Sequence, residues 1–276
     1  MLWTIGAVST LQAQTPRVAP RAGVTFHDQQ TVGTFQVQRW VDAANPEVSP
    51  SGNCDCVTVV YSGNRKVLTI DPGSGITTTI DPRSGQDING DNIPELIVSQ
   101  YTGGAHCCSS TTIHSLSTEL KTILDVQTGN CPGEFEDVDH DGKLEFVTCD
   151  DAWAYEKCAF AFSPMPVAVF TYSAAAGKYA PDTPHYREHF QKDIAESIAQ
   201  AEKQVADAAR DPDQDACTVL GPVLDLMYVG RFDEGVALFR RLYRRGDATE
   251  LERQAVEKVR SSPFWVPITG QKASPR

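Results

Sequence analysis

Short runs rich in Val, Ile, Thr and aromatic residues recur from Phe35 to about Tyr179: "FQVQRWV", "CVTVVY", "KVLTI", "LIVSQY", "STTIHSL", "KTILDV", "LEFVTC" and "VAVFTY". Between them lie "SGN", "DPGSG", "TGGA" and "TGNCPGE". Apolar and β-branched runs of that length, bounded by Gly, Pro, Asn and Asp, read as strands joined by turns. Such regular short strands predict antiparallel sheets, either a sandwich or a partial set of propeller-like blades.

The period changes near Pro184. In "TPHYREHFQKDIAESIAQAEKQVADAAR", Phe190, Ile194, Ile198, Ala201, Val205 and Ala208 share one helical face. Thr183 stands where an N-cap would be and Pro184 at the first helical position. Further helices are predicted over 217–228, 232–244 and 250–260, with Val229-Gly230-Arg231 as a turn and Pro263 as a stop. The stretch "MYVGRFDEGVALFRRLY" resembles one tetratricopeptide-type helix-turn-helix unit. A single unit cannot stack into a peptide-binding solenoid, so these helices are read as packing elements. The expected fold is therefore α+β with segregated parts. A flexible, polar lead-in covers residues 15–33, a β domain 34–180, a helical domain 183–262 and a tail 263–276.

Composition places this chain in a compartment. The N-terminal "MLWTIGAVSTLQAQTP" has an apolar run followed by small and polar residues, and residues 1–14 read as a signal peptide cut near Ala13. The eight cysteines are even in number and include no CxxC pair, so disulfides in an oxidising compartment are expected. Secretion or a periplasmic location follows. No other run is long enough to span a membrane. A formal net charge of −12 argues against nucleic acid and against an anionic membrane surface. Cys131 and Cys149 stand equidistant from His140, which predicts a disulfide closing a hairpin. Cys158 and Cys217 are expected to tie the β domain to the helices, leaving Cys54 and Cys56 to pair with Cys107 and Cys108.

Two acidic stretches carry the chemistry. "DINGDNIPEL" and, fifty residues on, "DVDHDGKLEF" place oxygen-bearing side chains at every second position and end in a Glu that opens an apolar run. Calcium takes six to eight oxygens from carboxylates, amides, carbonyls and water. In the first stretch the candidate ligands are Asp87, Asn89, Asp91, the carbonyl of Ile93, and Glu95. In the second they are Asp137, Asp139, Asp141, the carbonyl of Lys143, and Glu145. The sixth position needs a sharp bend, supplied by Asn92 in one and Gly142 in the other. The twelfth positions are Val98 and Thr148, so neither stretch is an EF-hand, which needs a Glu there. Two bound Ca²⁺ ions of structural type are the expected cofactors.

The pattern Asp-x-Asn/Asp-x-Asp-Gly/Asn-x-x-Glu leading into a strand resembles the FG-GAP and VCBS-type repeats of integrin α-chain propellers and of many bacterial secreted proteins. The wider stretch, about residues 80–180, is similar to bacterial secreted or lipoprotein-type proteins with two such loops. That resemblance implies calcium in a β context and a non-catalytic binding or adhesion module with an unknown protein or glycan partner. Two loops in about 150 residues do not make a seven-bladed propeller. The alternative is a secreted metal-dependent hydrolase. "HYREH" matches H-x-x-E-H, in which His185 and His189 would hold zinc, Glu188 would act as base, and Glu234 or Glu250 would complete the site. Two lesser candidates are a transition metal at His106, Cys107, Cys108 and His114, and a carboxylate-and-aromatic sugar site at Asp150, Asp151 and Trp153.

Overall fold

The computed structural model describes residues 16–50, 52–73, 75–104, 108–207 and 214–267. The expected signal peptide lies outside them, as do His106, Cys107 and most of the tail. Strands come first and helices last, the expected α+β arrangement. By internal contacts the chain forms two compact units. One comprises the chain up to Gln86 with Ile93–Gly103 and His114–Lys121; the other comprises Asp87–Asn92, Gly104–Ile113 and the chain from Thr122 onward.

Among the described residues the strands form three antiparallel sheets of four. The first holds β1 (Val24–Val32), β2 (Phe35–Asp42), β3 (Cys56–Ser62) and β4 (Arg65–Ile70). The second holds β5 (Thr77–Ile80), β6 (Glu95–Tyr101), β7 (Ser109–Leu116) and β8 (Leu120–Gly129). The third holds β9 (Glu134–Glu136), β10 (Glu145–Cys149), β11 (Val167–Ser173) and β12 (Lys178–Pro181). In each sheet the spatial order follows chain order, the up-and-down meander that a propeller blade repeats. Inner strands carry the apolar runs. Val57, Val59 and Tyr61 of β3 pack with Val24 and Trp40, while Val60 packs with Val32, Phe35, Val37, Leu96, Val98 and Leu116. Both faces of β3 are thus covered, which is why it reads as a continuous apolar run and not as an alternation.

The predicted flexible lead-in is corrected over its second half. Residues 24–32 are β1, paired antiparallel with β2 from Val24↔Asp42 to Val32↔Phe35. This is an edge strand, and its outer positions are polar. Gln29 and Thr31 bond through their side chains to Gln36, and Gln38 bonds to Gln29, so polar contacts stand where apolar alternation would have signalled a strand.

Among the described residues four α-helices follow: α1 (Gln191–Ala206), α2 (Asp215–Tyr228), α3 (Phe232–Leu242) and α4 (Ala248–Ser261). The predicted start of the first helix is also corrected. Residues Thr183–Tyr186 form a 3-10 turn, and α1 begins only at Gln191. Thr183 is buried, and its hydroxyl accepts the N–H of Val169 in β11 at 3.0 Å, so it serves the sheet and does not cap a helix. Ile194 and Ala201 of the predicted stripe are buried. Gly235 lets α3 approach α2: a Cβ there would lie 2.8 Å from the Val223 carbonyl oxygen and 2.9 Å from Met227 Cγ.

Disulfide partners separate into two confirmations and a correction. Cys131 pairs with Cys149 (Cα–Cα 5.5 Å) at the base of the β9–β10 hairpin, and Cys158 pairs with Cys217 in α2 (5.7 Å). Cys54 and Cys56 pair with each other (5.2 Å), not with Cys107 and Cys108. Residues two apart on an extended chain point the same way, and their separation falls within the disulfide range. Cys108 is itself disulfide-bonded.

Candidate metal centre

The two acidic loops share one backbone design. In the first, Asp87 Oδ2 accepts the N–H of Asn92 at 2.8 Å, and Asn89 Oδ1 accepts that of Asp91 at 3.0 Å. In the second, Asp137 Oδ2 accepts the N–H of Gly142 at 3.1 Å, and Asp139 Oδ1 accepts that of Asp141 at 3.2 Å. First position to sixth, third to fifth: the bonds repeat residue for residue. The expected bend at the sixth position is present, with φ of 65° at Asn92 and 88° at Gly142. A second left-handed residue was missed, at the fourth position: Gly90 (φ 80°) and His140 (φ 63°). Its signal was in the sequence, because each loop places Gly at one of these two positions and a polar residue at the other. Each second position is a buried anchor, Ile88 or Val138.

These turns gather carboxylates. Oxygens of Asp87, Asp91 and Glu95 lie within 4.8 Å of one another, as do those of Asp137, Asp139 and Glu145. The ninth-position Glu opens a strand in both cases, β6 at Glu95 and β10 at Glu145, and these two side chains are 0% and 3% exposed. A carboxylate at the first residue of an inner strand is held in place by the sheet. Asn89 is buried within the first loop, its amide oxygen engaged by Asp91. Ile93 and Lys143 occupy the seventh positions. Asp141 stands apart from its counterpart Asp91: it lies outside the carboxylate group, accepts the N–H of Lys143 at 2.8 Å and pairs with the Lys143 ammonium.

Charge in the second loop is uneven. Burial raises the pKa of Glu145; the Val138 N–H and the Tyr186 hydroxyl oppose that shift, and the nearby Asp139 and Asp141 charges add to it. The side-chain hydrogen bond from Lys143 lowers the pKa of the exposed Asp141. Asp137 Oδ1 is buried with no hydrogen-bond partner, although Oδ2 is engaged. A carboxylate oxygen without a partner and away from water is unfavourable unless a cation meets it.

The loops touch. Leu144 N–H donates to the carbonyl of Ile88 at 2.7 Å, and the Lys143 stem lies against Gly90, where a Cβ would come within 3.0 Å of it. Three tyrosines of the third sheet and the following turn surround them. Tyr172 donates to Asp91 (3.2 Å), Tyr179 donates to the Leu144 carbonyl (3.0 Å), and Tyr186 shares a 2.8 Å bond with Thr171. No spacing in the sequence links these tyrosines to the loops; the pairing of β10, β11 and β12 does.

The other candidates are placed elsewhere. His185, Glu188 and His189 form no metal-capable group among the described residues. His185 instead faces Asp139, Nε2 to Oδ2 at 3.6 Å, and the helical frame that would align the two histidines is absent before Gln191. His106 and Cys107 lie outside the described residues, and His114 is buried in β7. Trp153 is 2% exposed and cannot face a sugar. Asp150 is buried beside it, its carboxylate accepting from Tyr228, Ser262 and the Ala152 N–H. Asp151 accepts from Asn130 at 2.8 Å. Neither family models nor curated proteins nor solved structures return a match for this chain.

Proposed function

We propose that this is a secreted or periplasmic, disulfide-bonded protein whose two acidic loops each bind a structural Ca²⁺ ion, and that it acts as a non-catalytic binding module of the FG-GAP/VCBS kind. The observation that carries this reading is the repeated loop geometry: the same turn twice, each closing on a buried Glu at a strand start, with Asp137 Oδ1 left unpartnered in the second. When bound, calcium supplies positive charge and six to eight coordination positions for oxygen, and so neutralises clustered carboxylates. Asp87, Asn89, Asp91 and Glu95 would hold one ion; Asp137, Asp139 and Glu145 would hold the other. Calcium is favoured over magnesium because the loops offer many protein oxygens, and magnesium prefers to keep its waters. The role of the metal is to lock two adjoining loops and the surface they carry, which is offered to a protein or glycan partner. Paired cysteines agree with an oxidising location.

Thermal unfolding in EDTA, then in millimolar Ca²⁺ with Mg²⁺ as control, tests this. Ligand that binds only the folded state stabilises it by about 2.7 kcal/mol per site at a hundredfold excess over Kd. A Ca²⁺-selective rise in melting temperature is expected, much reduced in Asp137→Asn and largely kept in Asp141→Asn, since Asp141 faces Lys143. Equal melting in EDTA and Ca²⁺ would reduce the loops to polar turns.

A further inference from the structure

A hydrogen-bonded path runs from one acidic loop to the other. Its middle is the peptide group between Lys143 and Leu144. The carbonyl of that group is the seventh-position candidate ligand of the second loop, and its N–H donates to the Ile88 carbonyl at 2.7 Å. In a trans peptide the C=O and N–H point opposite ways, so the plane that gives its N–H to the first loop turns its carbonyl away from it. The peptide group between Ile88 and Asn89 continues the path. Asn89 N–H donates to Asp87 Oδ1 at 3.3 Å, an oxygen that also accepts the Gly90 N–H at 2.8 Å. Asp87 is the first-position candidate ligand of the first loop. Two rigid peptide planes thus connect a ligand position of one loop with a ligand position of the other.

A second bridge is built from side chains. Tyr172 of β11 and Tyr179 of β12 are direct partners in the third sheet, with ring centroids 5.7 Å apart. Tyr172 donates to Asp91 Oδ2 of the first loop at 3.2 Å, and Tyr179 donates to the Leu144 carbonyl of the second at 3.0 Å. Strand pairing fixes the spacing of the two hydroxyls, and so the spacing of the segments they hold. Every residue of both bridges belongs to one compact unit.

We propose that the two loops bind Ca²⁺ as a coupled pair, occupation of either raising the affinity of the other. This rests on the calcium reading above and adds how its two sites regulate each other. A loop must hold its backbone in one conformation to present its oxygens, and that ordering costs entropy. Filling one loop fixes the shared peptide plane and the tyrosine-held segments, so part of the ordering needed by the other is already done. Repulsion between the ions works against this. It is limited because the three carboxylates of each group outweigh the charge of one divalent ion and leave a filled loop negative. By linkage, each loop changes the other's affinity by the same factor.

The test is calorimetric titration of the oxidised full chain with Ca²⁺, beside variants that silence one loop. Asp137→Asn leaves the first loop to bind, and Asp87→Asn leaves the second. The product of the two stepwise affinities of the unaltered chain is expected to exceed the product of the two single-loop affinities by on the order of fivefold or more. Asp139→Asn silences the second loop by another route and should give the same excess, which keeps the test open where Asp137→Asn does not fold. Tyr172→Phe, which keeps the ring and loses the hydroxyl, is expected to shrink the excess. Equal products overturn the proposal and leave the calcium reading standing, whereas no Ca²⁺ uptake at all overturns both. An excess that vanishes in about 0.5 M KCl also overturns it, because long-range charge and not the bonded path would then be the cause.

Discussion

Single residues decide where charge can rest in this protein. Asp225 of α2 shows it most clearly. Burial pushes its pKa up to about 6, and the Ser197 hydroxyl, 3.5 Å away, offsets this only in part. The folded state therefore binds more protons than the unfolded state between about pH 4 and 6. Stability from this group is full below the unfolded pKa and falls as pH rises through that window. On the order of 1–2 kcal/mol is involved after solvent screening. Chemical denaturation of Asp225→Asn across pH 4–7 should show that slope flattened; an unchanged slope would place the origin elsewhere. Most residues of the acidic carboxylate groups were legible at this scale, because alternating oxygens followed by Glu is a one-dimensional pattern. The fate of Asp141 was not. Asp91 and Asp141 hold the same loop position, but Lys143 follows one of them and Ile93 the other, and the ammonium takes Asp141 out of the carboxylate group.

At the scale of elements, the strands that were missed share one position in the sheets, although two edge strands, β4 and β8, carry apolar runs and were read from them. The inner strands β2, β3, β6, β7, β10 and β11 were all visible. Each packs between two neighbours and needs apolar side chains to do so. Each missed strand, β1, β5, β9 and β12, is a sheet edge, where a short or polar sequence suffices and deters unwanted pairing. Helix positions were legible except for the start of α1, where the sheet took Thr183 for its own hydrogen bond. Element packing also yields a prediction. In Gly235→Ala the added methyl meets the α2 backbone, and the two helices must part. Better helix propensity offsets about 1 kcal/mol of this, but overpacking costs about 1–3 kcal/mol. Urea unfolding should show net destabilisation; a more stable variant would mean that α3 can shift without loss.

For the molecule as a whole, disulfides and charge set the conditions under which the fold persists. Cys131–Cys149 and Cys158–Cys217 close long stretches of chain, and each such bond typically contributes about 2–4 kcal/mol. Reduction with a strong thiol should lower the melting temperature by on the order of 10 °C in a chain of this size. An unchanged melting temperature, with free thiols confirmed, would remove the disulfides from the account of stability and weaken the case for an oxidising location. No described helix is long and apolar enough to cross a membrane.

The sequence by itself determined the order of strands before helices, the Cys131–Cys149 bond and the oxygen pattern of both acidic loops. All of these depend on neighbours along the chain. Only the tertiary structure decided which edge strands complete the sheets, that Cys54 pairs with Cys56, that Tyr172 and Tyr179 reach the loops, and that Phe162 is exposed while Trp153 is buried. Those outcomes depend on which distant segments come together, and a side chain's surroundings are set by the fold as a whole and not by its own position in the chain.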